Sequence, residues 1–243
     1  MLDYDTEAAA YDASRGGTPR AEAAAGAVLG LVPGQARTLL DIGCGTGIVT
    51  SRLARPGLRV LGADASYGMA RIAKGRLGGG VVLADVRRLP FPAAAVDAVS
   101  AVWLLHLVPQ ADAVVAEAAR VLRPGGVFLT TVDKDDAHDV GSDIDEVLAP
   151  HRTAEAYDRT DRVEACAAAH GLAPVAEARF TGHGQGRSPR AVASALLKGR
   201  YATRIAVRGP AAERLAAELT ALPAPGERRP DPRYRLLALR KRG

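Results

Sequence analysis

An open α/β sheet, mostly parallel and covered by helices, is the fold that this 243-residue sequence predicts. Three observations predict it. Short apolar runs alternate with helix-period segments through the first half of the chain. A glycine-rich loop, "DIGCGTG", follows the first of those runs. The last third then breaks the alternation, with two strand-like segments held apart by two helical patterns, a connection far longer than an ordinary loop.

The elements follow in order. Strands are expected at 38–42 ("TLLDI"), 58–63 ("LRVLGA"), 80–84 ("GVVLA"), 96–102 ("VDAVSAV") and 126–132 ("GVFLTTV"). Helices are expected from Ile48 to Ala54, Ser66 to Leu77 and Gln110 to Leu122. In the last, Val114, Val115, Ala118, Val121 and Leu122 share one face, and Pro124 ends it. A helix from about 160 to 170, closed by Gly171, leads into the strand "LAPVAEARFTG". Ser188 as N-cap with Pro189 in the first turn opens the next helix, and "PAAERLAAELTAL" follows with Leu215, Leu219 and Leu222 aligned. "YRLLALRKRG" reads as a closing strand. β-α-β-α order of this kind produces parallel pairing with right-handed crossovers.

Composition sets the outer bounds. With 48 % hydrophobic and 24 % charged residues the chain is an ordinary globular protein, one domain with additions. Its opening, "MLDYDTE", is acidic and lacks the basic and apolar regions of a signal peptide. The longest apolar stretch, "AVSAVWLLHLVP", is too short to span a bilayer and contains His106. A cytoplasmic protein without membrane contact is expected. Cys44 and Cys166 provide neither a disulfide framework nor a metal cluster, and both read as small packed residues. No histidine has metal-ligand spacing with another, so no metal is expected. The net charge of +5 comes from scattered arginines rather than a basic block.

The loop chooses the ligand. A dinucleotide fingerprint reads G-x-G-x-x-G and sets a pyrophosphate against a helix N-terminus. Here the pattern is G-x-G-x-G, with Asp41 two residues ahead of Gly43. A carboxylate there repels a pyrophosphate but suits a ligand carrying an ammonium group and a sulfonium, while the glycines let the backbone approach closely. S-adenosylmethionine meets these demands and NAD does not. Asp64, 21 positions after Gly43, has the spacing of an acid that reaches ribose hydroxyls. Asp85 ends the third strand, where a carboxylate can accept an adenine amino group. A strand-end aspartate taken alone is more simply a helix N-cap; three in succession, at 41, 64 and 85, point to a site.

"LLDIGCGTG", "VLGADAS", "LADVRRLPFP", "VDAVSAVWLLHLV" and "EAARVLRPGGVFLTT" together resemble the class I S-adenosylmethionine-dependent methyltransferases, in the ubiquinone/menaquinone-type (methyltransferase type 11) branch. The resemblance covers residues 4–133. It implies a Rossmann-like sheet of seven strands whose last strand is antiparallel and inserted between the fifth and sixth. It assigns Asp41, Gly43, Gly45 and Thr46 to the methionine side of the cofactor and Asp64 to the ribose. Ala65 and Met69 would flank the adenine, with Asp85 and its neighbour Val86 at the amino group and Trp103 as a wall of the pocket. "YDASRGG" is similar to the family's entry segment, so Tyr11 would close over the cofactor and Arg15 would meet the methionine carboxylate. The domain plan is a single methyltransferase domain over 1–243, with an N-terminal helical cover at 1–35, a cofactor-binding core at 36–133, and helical cap insertions at 134–158 and 183–225.

Methyl transfer from a sulfonium needs alignment and exclusion of water; a base is required only where the acceptor must lose a proton. His106, just after the fourth strand, is the candidate base, its structural alternative being a packed histidine bonded to backbone. Asp133 and His183 end strands at the same edge, although surface-loop roles suit both. His138 and His151 fall in a polar connector. The place where amino-group methylases of bases carry N/D-P-P-Y/F reads "VSAVWLL", and neither cysteine is set for pyrimidine chemistry, so nucleic acid is a poor candidate substrate and an RNA methyltransferase the weaker alternative. A small-molecule acceptor is expected, taking a methyl on oxygen, nitrogen or carbon, in a setting such as secondary metabolism. A non-methylating cyclase or isomerase that kept the cofactor site is the alternative from another class. Arg187, Arg190 or Arg200 in the cap is expected to meet an acidic group of the acceptor.

Overall fold

The computed structural model describes residues 11–152, 156–199, 205 and 207–243. The opening "MLDYDTE" and Arg200 lie outside them.

Seven strands form one sheet: β1 (Thr38–Ile42), β2 (Arg59–Asp64), β3 (Val81–Leu83), β4 (Val96–Ala101), β5 (Leu122–Val132), β6 (Leu172–Thr181) and β7 (Arg233–Lys241), in the order β3-β2-β1-β4-β5-β7-β6. The first five pair in parallel. β7 is antiparallel to both β5 and β6, so β6 runs with the rest. The antiparallel last strand inserted between the fifth and sixth is thus present. β1 and β4 are almost wholly buried, as continuous apolar strands covered on both faces must be. β6 is an edge strand with Pro174 beside a register shift, where a missing N–H is harmless.

The helices are α1 (Tyr11–Ser14), α2 (Gly17–Leu31), α3 (Tyr67–Leu77), α4 (Ala111–Val121), α5 (Asp143–Leu148), α6 (Thr160–Ala169), α7 (Pro189–Leu197) and α8 (Pro210–Ala221). In α2 the residues Ala21, Ala24, Ala25 and Val28 recur at one-turn spacing and face the core. Ser66 caps α3 by accepting the Met69 N–H, and Gly78 at φ 63 ends it in the left-handed conformation. Val114, Val115, Ala118 and Val121 of α4 are all buried, as their shared face requires. Ser188 and Pro189 open α7 as expected, the Ser188 hydroxyl accepting from Ala191 N–H.

One expected helix is absent. Residues 48–54 form turns and a short 3-10 segment at Thr50–Arg52. Ile48, Val49 and Thr50 are three consecutive β-branched residues, poor helix formers, and the Thr50 hydroxyl is drawn inward to Asp41. β5 starts earlier than the apolar run suggested, at Leu122 rather than 126, because Leu122 already pairs with Val96. Gly126 allows that pairing: a Cβ there would stand 2.9 Å from two carbonyl oxygens.

The core is split by the sheet. One side packs α4 and α6 on Leu40, Val99, Phe128 and Leu239; the other packs α2 on Leu39, Leu129, Tyr234 and Leu236. A separate cluster joins the two insertions: Ile144 and Leu148 of α5 pack with Val192 and Leu196 of α7 and with Leu215 and Leu219 of α8. Arg187–Asp145 and Arg229–Asp143 ion pairs, at 3.0 and 2.6 Å, tie the same elements together. Among the described residues no helix is long and apolar enough to cross a membrane.

Candidate functional site

The carboxyl ends of β1, β2 and β4 meet at the glycine loop. Gly43, Gly45 and Gly47 all have positive φ, at 65, 56 and 74°, a conformation costly for any residue with a Cβ. A Cβ on Gly43 would lie 2.6 Å from Leu104 Cδ1 and one on Gly47 would lie 3.0 Å from Ala73. A Cβ on Gly45 would meet nothing within 4 Å. Two glycines therefore serve packing, and the third presents bare backbone to an open face.

Asp41 lies under this loop, 3 % exposed. One carboxylate oxygen accepts from Thr50 Oγ1 at 2.6 Å and the other from Ser100 Oγ at 2.7 Å. Burial raises its pKa to about 6, the two hydroxyls partly offset that, and Asp64 adds repulsion. Asp64 closes β2 and spans the loop: one oxygen accepts the Gly45 N–H at 2.7 Å and the other the Ser66 N–H at 2.9 Å. Cys44, between them, is buried, and its thiol is pushed up by burial and then by Asp41 and Asp64, which makes it the packed residue expected from its position.

Thr46 is buried and triply engaged. Its hydroxyl donates to Asp12 Oδ1 at 2.6 Å and accepts from Arg76 Nη1 at 2.8 Å, while Arg76 also pairs with Asp12 at 2.5 Å. These contacts pin α1 against the glycine loop. They carry Tyr11 and Arg15 there too, the Arg15 guanidinium lying 5.5 Å from the Tyr11 ring centre. Ala65 is exposed at the end of β2, whereas the Met69 side chain is buried under α3. Asp85, half exposed, takes a forked contact from Arg87, whose hydrogen bonds hold its carboxyl below the usual range; Val86 beside it is buried.

Beyond β4 the chain turns sharply. Trp103 has φ 55°, and its N–H donates to Thr131 Oγ1 at 2.7 Å. His106 follows in the 3-10 turn Leu105–Leu107, half-buried, with Leu105 wholly in the core. The Asp133 carboxylate caps α6 through the N–H and hydroxyl of Thr160, and His183 is exposed. His138, in the polar connector, is half-buried: its ring packs edgewise on Tyr234, and burial with Arg187 and Lys134 nearby lowers its pKa to about 3. Of the cap arginines, Arg187 bonds Asp145 and the His138 carbonyl. Arg190 lines the outer cleft between α7 and α8. Among the described residues no group of acids, histidines and cysteines has the arrangement of a metal site.

Asp12, Thr50, Arg76 and Ser100 are the residues that sequence reasoning missed. Ser100 had a legible signal, a lone hydroxyl inside a fully apolar strand that must find a buried partner. The others are polar residues in segments that read as solvated helix.

The donor set fits S-adenosylmethionine: open backbone at Gly45, a buried carboxylate behind it, and carboxylates at the ends of the next two strands. A family model described as a methyltransferase domain matches residues 40–130. The chain is 42 % identical over 100 residues to the ubiquinone/menaquinone biosynthesis C-methyltransferase of Acidiphilium cryptum, covering 38 % of this chain and 40 % of that protein. It is 34 % identical over 113 residues to the ubiquinone biosynthesis O-methyltransferase of Paracidovorax citrulli, covering 43 % and 48 %. It therefore spans less than half the length of these curated relatives. A chain from the Haloferax volcanii complex of a methyltransferase activator with a methyltransferase shares the fold, with a TM-score of 0.61 at 19 % identity over 99 % of this chain and 98 % of that one. Motif order, site geometry and these matches agree: residues 40–130 form a methyltransferase domain, similar to that of the ubiquinone/menaquinone-type C-methyltransferases.

Proposed function

We propose that the protein transfers the methyl group of S-adenosylmethionine to a small-molecule acceptor. The observation that carries this reading is the set of acids Asp41, Asp64 and Asp85 at the ends of three strands, around a glycine loop whose backbone is open at Gly45. Bound there, the cofactor supplies an electrophilic methyl: the sulfonium–carbon bond breaks as the acceptor–carbon bond forms, and S-adenosylhomocysteine leaves.

The chain's residues divide the remaining work. Asp41 contributes a negative field from below the loop, favourable to the sulfonium and the ammonium group. The two Asp64 oxygens accept the Gly45 and Ser66 N–H groups, which fixes the carboxylate at the loop to meet a ribose hydroxyl. Asp85 and Val86 receive the adenine, with Ala65 and the α3 backbone at Met69 beside it. Tyr11 and Arg15, held in place through Asp12, cover the methionine end. His106 serves as base where the acceptor has a proton to lose. The joined insertions around α5, α7 and α8 form the cap that excludes water. The relatives named above are C- and O-methyltransferases of quinone biosynthesis, which supports a small organic acceptor over nucleic acid.

Calorimetry against S-adenosylmethionine and NAD tests the cofactor, and only the first should bind. Incubation with methyl-labelled S-adenosylmethionine and a panel of phenols, carboxylic acids and amines, followed by mass spectrometry, tests the reaction. Cofactor binding with product formed by rearrangement and no label incorporated would establish the cyclase or isomerase alternative instead.

A further inference from the structure

The half of the carboxyl edge away from Asp64 and Asp85 holds a buried cation that has no counter-ion among the described residues. Arg20, in the first turn of α2, is 9 % exposed. Its guanidinium carbon lies 3.4 Å from the centre of the Trp103 ring. Arg20 Nε and Trp103 Nε1 are both buried without a hydrogen-bond partner, and among the described residues no carboxylate pairs with Arg20. The acids nearest the cluster are committed elsewhere. Asp12 binds Thr46 and Arg76. Asp231 accepts the N–H groups of Gly184 and Gly186.

A guanidinium cannot shed its charge to escape burial. Stacking on Trp103 offsets part of the desolvation but supplies no acceptor for the N–H donors. The rings packed around it are aromatic, with Asp12 and Arg15 within electrostatic range. Trp103 meets Phe180 and Tyr234 edge-on, at 5.5 and 5.3 Å, and Tyr234 donates its hydroxyl proton to Gln185 at 2.8 Å. These residues come from the ends of β4 and β6 and the start of β7, across the sheet from the strands that carry Asp64 and Asp85.

We infer that this cluster is the acceptor subsite and that the acceptor carries a carboxylate, which Arg20 receives beside the Trp103 ring. The inference rests on the methyl-transfer reading and names the substrate class for it. The guanidinium fork matches a planar carboxylate, and the Trp103 ring offers an aromatic face beside it. Tyr11, Asp12 and Arg15 at the cofactor's methionine end lie within electrostatic range of Arg20, so the anion site adjoins that end from the β4 and β7 side. A carboxylate paired with Arg20 has its charge largely neutralised and is a weaker nucleophile than a free one. It is therefore the handle of the acceptor, and the methyl goes to another atom.

Trp103 is the only tryptophan in the sequence, so its fluorescence reports on the subsite directly. The protein is loaded with S-adenosylhomocysteine and titrated with benzoate, and separately with benzamide, as a charged and a neutral probe of the same shape. Benzoate should change the emission saturably and benzamide should not. Arg20→Met should weaken benzoate binding by at least about tenfold, and Arg20→Lys, which keeps the charge but not the fork, by less. Calorimetry should show nearly unchanged S-adenosylhomocysteine affinity in both variants. Four results would overturn the inference: no saturable response to benzoate, an equal response to benzamide, benzoate affinity unchanged in Arg20→Met, or S-adenosylhomocysteine binding weakened instead, which would give Arg20 to the cofactor's own carboxylate. Failure of the parent protein to bind S-adenosylhomocysteine would sink the methyl-transfer reading, while the benzoate and benzamide titrations would still decide whether the anion site exists. Replacing a buried unpaired cation with Met leaves apolar packing in place, and thermal unfolding of both variants checks that the fold survives.

Discussion

Asp41→Asn is expected to make the protein more stable and a weaker cofactor binder. Asp41 is almost fully buried, and desolvation, opposed by the Thr50 and Ser100 hydroxyls, lifts its pKa from 3.8 to about 6. Each tenfold change in proton affinity is worth about 1.4 kcal/mol, so the ionised form costs about 3 kcal/mol of folding free energy. The sign follows from linkage. An acid whose pKa is raised by folding contributes most below its unfolded value, near 3.8, and that contribution is lost as pH rises through about 6. Asparagine is neutral throughout, and either hydroxyl can turn to accept from its amide, so both contacts survive. The two proteins should match at about pH 4, and the variant should lead by about 3 kcal/mol at about pH 7.5. Asp97 acts in a different window. Its burial is outweighed by Arg123, the Arg37 and Thr38 amides and the Thr38 hydroxyl, and its pKa falls to about 2. Its contribution is present above 3.8 and lost as pH falls toward 2, equally in both proteins. Urea unfolding across this pH range is the assay. A stability difference independent of pH, or no gain near pH 7.5, would refute the reasoning. The weaker binding expected of S-adenosylmethionine in the same variant would explain why a destabilising charge stands there.

Replacing Asp64 with Ala should weaken S-adenosylmethionine binding by about 1.5–3 kcal/mol, measured by calorimetry, since hydrogen bonds to a charged group are lost; unchanged affinity removes it from the site. His106→Ala should lower turnover at least about a hundredfold with cofactor affinity nearly intact, and parallel losses of thermal stability and activity would make the residue structural. Cys44 should resist a disulfide-exchange reagent in the native protein, because burial and two neighbouring carboxylates keep its thiol protonated, and should react on unfolding; fast native reaction, abolished by Cys44→Ser, would contradict this.

The strand positions and the glycine loop were legible because both are written locally, whereas the place of the last strand came from the family resemblance. Apolar runs bounded by turn residues mark strands whatever their partners, and Gly43, Gly45 and Gly47 declare a backbone that no other residue adopts cheaply. Even there the segment after the loop misled: Ile48 to Ala54 has helical spacing, but Thr50 is pulled toward Asp41, a contact that spacing does not encode.

By itself the sequence determined the α/β alternation, the three acids that end successive strands and the two long insertions, since each depends on neighbours along the chain. Tertiary structure alone decided that Asp12 and Arg76 grip Thr46, that Thr50 and Ser100 hold Asp41, and that the insertions share a core. It also decided that Arg20 lies unpaired on Trp103 while His138 and Tyr234 complete the same buried cluster. Those side chains come from distant segments, and burial removes the solvent that would otherwise make a lone arginine or histidine unremarkable. Charge becomes costly only once the fold has closed around it.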